Sequence, residues 1–308
     1  MRVQQGVHVV TVSYWSSSQL SGMLAELAGR FPVTVVDNAD GTDIETQRVS
    51  AGHDYVAIGH NSGFGSACNV GARRSSSAYV LFLNPDCRVS PSTVDALVSL
   101  LDRRPDAGAC APRLGRRQIY GGAAPGFWSA VGYLALPDAL LGSRCVWATA
   151  TRARGPVAVG WASGACLLVR REAFDAVGGF REDLFMYNED LDLSARLRRS
   201  GWCVLVDPRL SADHAGAQSS VAPVDTANSW SRSTLRYLGR SWRSTGIAAI
   251  LGAGMWRRHL VALAGGRRRA TFAPEFTAQL LRRRTTTDPA ADRPERCLST
   301  ACDGSRSE

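Results

Sequence analysis

A chain of 308 residues with 45% hydrophobic content can bury one large or two small cores without disulfide staples. Every one of its 36 basic residues is arginine, a pattern read as GC-rich codon usage, and the lack of lysine excludes Schiff-base and P-loop lysine chemistry. The net charge of +9 is unevenly placed: residues 1–229 hold 21 Arg and 21 acids, whereas residues 230–308 hold 15 Arg and 6 acids. The first part therefore reads as a neutral catalytic or binding domain, and the second as a basic attachment that meets something anionic.

Short apolar runs and helical patterns alternate along the first third. Strands are predicted at Val7–Tyr14, Pro32–Asp37, Asp54–Ile58, Ala78–Leu83 and Ala107–Ala111. Between them come helices at Ser17–Arg30, near Asp43–Ser50, at Phe64–Ser76 and at Pro91–Arg104. Strict β/α alternation predicts an α/β fold with a mostly parallel central sheet flanked by helices. Ligands of such sheets lie beyond the carboxyl ends of the strands, so Tyr14, Asp37-Asn38 and Asn84-Pro85-Asp86 should share one rim. Residues 113–156 break the rhythm and are rich in Gly, Ala, Pro and aromatics (Tyr120, Phe127, Trp128, Tyr133, Trp147), which reads as an ordered lid or an acceptor-side wall. The pattern resumes with a strand over Val159–Arg170, helices over Glu172–Val177 and Glu189–Arg199, and a strand over Cys203–Val206.

From Trp230 the character changes. Residues 230–284 carry twelve Arg and one acid among interleaved aromatic and aliphatic residues, the composition of an interfacial amphipathic helix on an anionic membrane surface. A helix packed on the domain with a solvated Arg face would have the same composition. No nucleic-acid motif accompanies the charge, so no nucleic-acid partner is expected. The tail from Thr285 reads as disordered. No secretory leader and no run of ~18 apolar residues is visible, so neither export nor a membrane span is expected. The eight cysteines form no C-x-x-C pair and read as buried or free thiols of a reducing compartment.

The chemistry concentrates in a few places. The stretch Phe185-Met186-Tyr187-Asn188-Glu189-Asp190-Leu191-Asp192 packs three acids at a helix start, where the helix dipole favours anions. A carboxylate kept ionised there can serve as a general base toward a hydroxyl, or it can simply cap the helix, as Asp192 is expected to do. Asn84-Pro85-Asp86 ends a strand abruptly. It is either an ordinary turn or the source of a carboxylate for a hard divalent cation, which takes one or two such ligands plus substrate phosphates. The lone His214 is either structural or a ligand. Asp37-Asn38-Ala39-Asp40-Gly41 is either a turn or a base- or ribose-binding edge, and the small residues of Asn61 to Gly71 allow close approach of backbone or phosphate.

Taken together, these segments resemble the family 2 glycosyltransferases, the nucleotide-sugar-dependent, metal-using enzymes of GT-A fold. The resemblance is carried by Val10-Thr11-Val12-Ser13-Tyr14, Val35-Val36-Asp37-Asn38, Asn61 to Gly71, Leu83-Asn84-Pro85-Asp86, Gly160 to Arg171, Gly178-Gly179-Phe180, Phe185 to Leu193 and His214, over about residues 7–220. Within the family the chain is similar to actinobacterial rhamnosyltransferases, which move rhamnose from dTDP-rhamnose to prenyl-diphosphate-linked N-acetylglucosamine. The resemblance implies a GT-A domain over 1–229, with 113–156 as an acceptor-side insert, a basic helical extension over 230–284 and a tail over 285–308. It further implies an enzyme that inverts the sugar's configuration as it moves from a nucleotide diphosphate to a lipid-linked or polysaccharide acceptor. Such an enzyme would be cytoplasmic and attached to the inner face of the plasma membrane.

By the same resemblance, Thr11, Ser13, Tyr14, Asp37, Asn61, Gly63, Asn69, Asn84 and Asp86 would bind the nucleotide sugar. Trp161, Ser163 and Gly164 would line the acceptor. Asp86 and His214 would hold Mg²⁺ or Mn²⁺, and Asp190 would be the base, with Glu189 orienting the acceptor. The chain departs from the family's D-x-D motif by carrying Asn84 at its first position, and it lacks the serine often found after Asp37. A nucleotidyltransferase is disfavoured because no Gly-rich basic loop opens the chain. A non-catalytic glycan- or nucleotide-sugar-binding protein on the same fold is the other reading.

Overall fold

Strands buried on both faces read as continuous apolar runs, and the parallel half of the sheet is built largely from them, with a half-buried strand at its edge. In the computed structural model, which describes residues 4–27, 29–115, 121–123, 127–135, 153–215, 223–239, 242–264 and 273–285, these strands are β1 (Gln4–Ser13), β2 (Val33–Asp37), β3 (Asp54–Ala57) and β4 (Ser77–Leu83). They run parallel in the order β3-β2-β1-β4. Their crossovers are helices α1 (Ser17–Leu27), α2 (Ile44–Val49) and α3 (Phe64–Ala72). Leu20, Met23, Leu24 and Leu27 repeat at helical spacing on α1 and are buried. Each such side chain contributes about 1.5–3 kcal/mol relative to exposure.

Beyond β4 the sheet becomes mixed. Strand β10 (Cys166–Arg170) inserts antiparallel between β4 and β6 (Ala107–Leu114), and β11 (Cys203–His214) follows parallel to β6. Two short strands, β5 (Cys87–Arg88) and β8 (Val157–Ala158), pair antiparallel with β11, and β7 (Gly121–Gly122) pairs with β9 (Trp161–Ala162) in a separate two-stranded ladder. Helix α4 (Pro91–Arg103) begins as its sequence predicts: the Ser90 hydroxyl accepts from the Thr93 N–H, and Pro91 occupies the first turn. Helices α6 (Arg171–Ala176) and α7 (Glu189–Arg199) complete the cover. The result is the α/β architecture expected from the sequence, parallel in its first four strands and mixed thereafter.

Two elements differ from expectation in ways that shape the site. The predicted strand over Val159–Arg170 is broken into β9 and β10 by a turn at Ser163-Gly164-Ala165. The strand predicted to end at Val206 continues to His214. Pro208 would normally end it, but the register shifts between Asp207 and Ser211, so the proline falls in the irregular stretch rather than on the ladder.

The C-terminal region forms α8 (Pro223–Leu238), α9 (Trp242–Ala264) and α10 (Ala273–Thr285). With α5 (Phe127–Ala135) from the insert they build a second apolar cluster of Ala130, Leu235, Ala248, Leu251, Met255, Ala273 and Phe276. The extension is thus packed as well as basic. Of the insert's aromatics, Phe127 and Trp128 are exposed on α5, while Tyr120, Trp147 and the side chain of Tyr133 lie outside the described residues. So do Arg267 to Arg269, the side chains of Arg258, Arg283 and Arg284, and residues 286–308. Among the described residues no helix is long and apolar enough to cross a membrane, and Cys68, Cys87, Cys110, Cys166 and Cys203 are free thiols.

Candidate active site

Parallel pairing aligns the ends of β1, β2 and β3 on one rim. Asn38 N–H donates to Ser13 O at 2.9 Å, and Ile58 N–H donates to Asp37 O at 2.9 Å. Asp37 is buried at this rim, where its carboxylate accepts from the Ala39 N–H and from the Tyr55 hydroxyl at 2.7 Å. Burial, helped by that carboxylate, pushes the Tyr55 phenol up to about 12. Asn38 joins this rim to the β3–α3 loop, donating to Asn61 Oδ1 at 3.0 Å and accepting from the Ser62 N–H. Asn61 in turn accepts from the Gly63 N–H. Tyr14 is half-buried at the end of β1, and beside it Trp15, Ser17 and residues Thr42 to Glu45 line a cavity of about 280 Å³.

Three residues expected to face the nucleotide lie in the interior. Thr11 is fully buried in β1. Ser13 is buried in a polar chain through Thr46 to Asp43. The Asn69 amide is taken up by Phe180, whose N–H and carbonyl it bonds at 2.8 Å each, and by Glu182. Asn69 staples α3 to the Gly179-Phe180 turn, and its surroundings place it behind the rim.

The Asn84-Pro85-Asp86 turn and His214 meet. The short β5–β11 ladder sets His214 opposite Cys87, Ala215 N–H donates to Asp86 O, and His214 Nε2 lies 3.3 Å from Asp86 Oδ1. The Asn84 side-chain oxygen is buried with no hydrogen-bond partner. A carboxylate, an imidazole and an orphaned amide oxygen fit a hard divalent cation that takes its remaining ligands from a diphosphate. Among the described residues no group of three or more His, Cys, Asp and Glu is assembled there or elsewhere. Arg88, which the sequence does not single out, donates to Pro85 O at 2.9 Å and reaches across to Gln19 O, holding the turn against α1.

Asp190 stands on the other side of the Ser163-Gly164-Ala165 turn. Gly164 N–H donates to Asp190 Oδ2 at 3.1 Å, and Asn84 N–H donates to Ala165 O at 2.9 Å, so one turn connects the acid of α7 to the carboxylate after β4. Burial raises the Asp190 carboxyl above the usual range, with the Gly164 and Leu191 amides opposing. Glu189 points inward beneath α3: it is 8% exposed, its Cβ lies near Gly65, and its Oε2 has no hydrogen-bond partner. Burial, and then the neighbouring Asp190, raise it to about 8. Of the expected acceptor residues, Trp161 is buried in a cluster with Leu191 and Tyr237, whereas Ser163 is partly exposed and Gly164 underlies Asp190. Asp192 is buried in ion pairs with Arg196 and Arg181, so it anchors α7 as well as charging its first turn.

The description of glycosyl transferase family 2 matches residues 9–178. The chain belongs to this family. Its sequence is 32% identical over 290 residues, 84% of this chain and 94% of the relative, to the N-acetylglucosaminyl-diphospho-decaprenol L-rhamnosyltransferase of Mycobacterium tuberculosis. It is also 26% identical to the rhamnosyltransferase WbbL of Escherichia coli, over 76% of this chain and 93% of that one. The fold of this family 2 chain is shared with the mannosyltransferase PcManGT of Pyrobaculum calidifontis, solved with GDP-Man and Mn²⁺. That match has a TM-score of 0.53 at 14% identity and covers 91% of this chain and 81% of that one. The GT-A fold is therefore the observed one, and the residues that the family description matches include the rim and Asp86, whereas the α7 acids and His214 lie beyond them.

Proposed function

We propose that this chain transfers L-rhamnose from dTDP-rhamnose, with inversion, to a hydroxyl of a prenyl-diphosphate-linked N-acetylglucosamine. The observation that carries a transferase reading is the assembly around the 163–165 turn. It sets a candidate base, Asp190, on one side and the Asp86–His214 pair on the other. The choice of donor and acceptor rests on the likeness to the mycobacterial rhamnosyltransferase, which spans nearly all of that relative.

In this reading Asp190 takes the proton of the acceptor hydroxyl as its oxygen bonds to the anomeric carbon. The bond to the nucleoside diphosphate breaks on the opposite face, and dTDP leaves with that electron pair. A carboxyl raised by burial is a stronger base than an exposed one, and the Gly164 N–H fixes its orientation. The rim of Tyr14, Asp37, Asn38 and Asn61 would hold the nucleoside, and Asp86 and His214, with Asn84, would hold Mg²⁺ or Mn²⁺. That cation would neutralise charge developing on the leaving diphosphate. Glu189, buried beneath α3 with its carboxyl raised by burial, supports α7 from within. In this reading the basic helices would rest on the anionic cytoplasmic face of the plasma membrane, where a lipid-linked acceptor would reside. This is supported by the Arg-rich composition of residues 230–308 and by the exposed Trp256, Leu260 and Val261 of α9.

The test is transfer from dTDP-rhamnose to a short prenyl-diphospho-N-acetylglucosamine, with Mg²⁺ and with EDTA, for the native chain and for Asp190→Asn. Product that disappears with EDTA, and a loss of at least ~10³-fold in Asp190→Asn with dTDP binding kept, are expected. No product, with thermal stabilisation by a different nucleotide sugar, would overturn the rhamnose assignment. Full turnover by Asp190→Asn would remove it as the base.

A further inference from the structure

The segment that carries Asp190 is backed by a helix further along the chain, and both lie outside the part that the family description matches. Residues 183–190 run from the Gly179-Phe180 turn to the first turn of α7, and two successive non-glycine residues there, Tyr187 (φ 70°) and Asn188 (φ 65°), are left-handed. That backbone is costly for side-chain-bearing residues and persists only where neighbours fix it. On one side the neighbour is α3, whose Phe64 N–H donates to Phe185 O at 2.9 Å. On the other it is α8. Ser233 Oγ donates to Met186 O at 2.6 Å, Asn188 Nδ2 donates to Thr234 Oγ1 at 3.0 Å, and Arg236 donates to Asp183 O. Tyr237 completes the contact against Trp161 and Leu191.

The use of Asn188 is telling. An asparagine at a helix N-cap ordinarily turns its side-chain oxygen to the free amides of the first turn. Here it makes no such bond. Its amide goes to a buried threonine 46 positions away, while its carbonyl accepts from the Asp192 N–H. The direction in which α7 leaves the loop, and with it the position of Asp190 against Gly164, is therefore set from α8.

We infer that Thr234 and Ser233 are positioning residues, through which the C-terminal helical unit holds the Met186–Asn188 backbone and so aims Asp190. This rests on the reading of Asp190 as the transfer base.

The experiment compares Thr234→Val, Thr234→Ser and Asn188→Gly with the native chain. It measures kcat, donor KM, thermal midpoint and amide hydrogen exchange across residues 183–191. Thr234→Val removes the acceptor hydroxyl at nearly constant volume. It is expected to lower kcat about tenfold, the loss of one buried hydrogen bond, with donor KM unchanged and with faster exchange at 186–191. Thr234→Ser should restore kcat and protection. Asn188→Gly keeps the left-handed backbone without the amide and should lose kcat as Thr234→Val does. The proposal is overturned if Thr234→Val keeps native kcat and exchange, or if Thr234→Ser fails as badly as Thr234→Val. If the native chain transferred no sugar from any nucleotide donor, the functional reading would fall. The exchange comparison alone would then decide whether α8 holds the loop.

Discussion

Glu189 and Asp190 are sequence neighbours with opposite placements. Asp190 meets the Gly164 amide beside the site, while Glu189 is turned under α3 with one oxygen unpaired. The folded protein holds the Glu189 proton where an unfolded chain has released it. The fold therefore keeps its full stability below the ordinary glutamic acid value, loses part of it as pH rises from about 4.5 toward about 8, and levels off above. Glu189→Gln, which cannot ionise, should match the native chain near pH 5 and exceed it at pH 8 by up to a few kcal/mol, on the order of what such a shift represents. Thermal unfolding at several pH values checks this, and parallel curves for the two proteins would show that Glu189 ionises freely. The run of acids was legible in the sequence; which of them turns inward was not. Adjacent residues at a helix start differ by about 100° in direction, and only the packing of α3 decides between them. The same holds for Thr11, Ser13 and Asn69. Their place in a motif says that they are near the rim, but not that their polar atoms are spent on Thr46 and Phe180 or left in the core.

The β/α alternation of the first hundred residues was readable because each element carries its own signal, such as the capped start of α4 or the apolar runs of β2 and β4. The turn at 163–165 and the extension of β11 past Pro208 were not, since both depend on pairing with distant strands. These two features bring the chemistry together, the first by presenting Gly164 to Asp190 and the second by carrying His214 to Asp86. A third junction, between α3 and the 185–188 segment, depends on Gly63. Its backbone lies at φ 86°, ψ 162°, a region left essentially to glycine, and a Cβ there would collide with the Phe185 carbonyl. Gly63→Ala should cost at least ~2 kcal/mol, read as a lower urea midpoint at unchanged slope, together with loss of transfer. An unchanged midpoint would mean that the 185–188 segment yields freely, and α3 would then have no part in holding it.

The basic C-terminal region was legible as charge and apolar content, and its partner in the fold was not. Helix α9 carries two apolar faces. Ala248, Leu251 and Met255 turn inward onto α5, α8 and α10, while Gly246, Ala249, Ala253, Trp256 and Leu260 recur at helical spacing on the outward side and are exposed. The inward face belongs to the unit that holds the 183–188 loop. Truncation after about Asn228 would consequently remove Ser233, Thr234 and Tyr237 along with any membrane seat, and loss of both transfer and vesicle binding would not separate the two roles. The outward face can be tested alone. Leu260 and Val261 are 59% and 62% exposed near the end of α9, so Leu260→Gln with Val261→Gln leaves the packed faces intact. If that face enters an anionic bilayer surface, withdrawing two partly buried aliphatic side chains should weaken sedimentation with phosphatidylglycerol vesicles at least about fivefold. Added salt should weaken the remaining binding further, because the attraction of the Arg-rich C-terminal region to anionic headgroups is screened. Transfer to a short, soluble acceptor should stay at the native rate. Equal sedimentation of the two proteins would remove α9 from the membrane contact and leave its outward face to another partner.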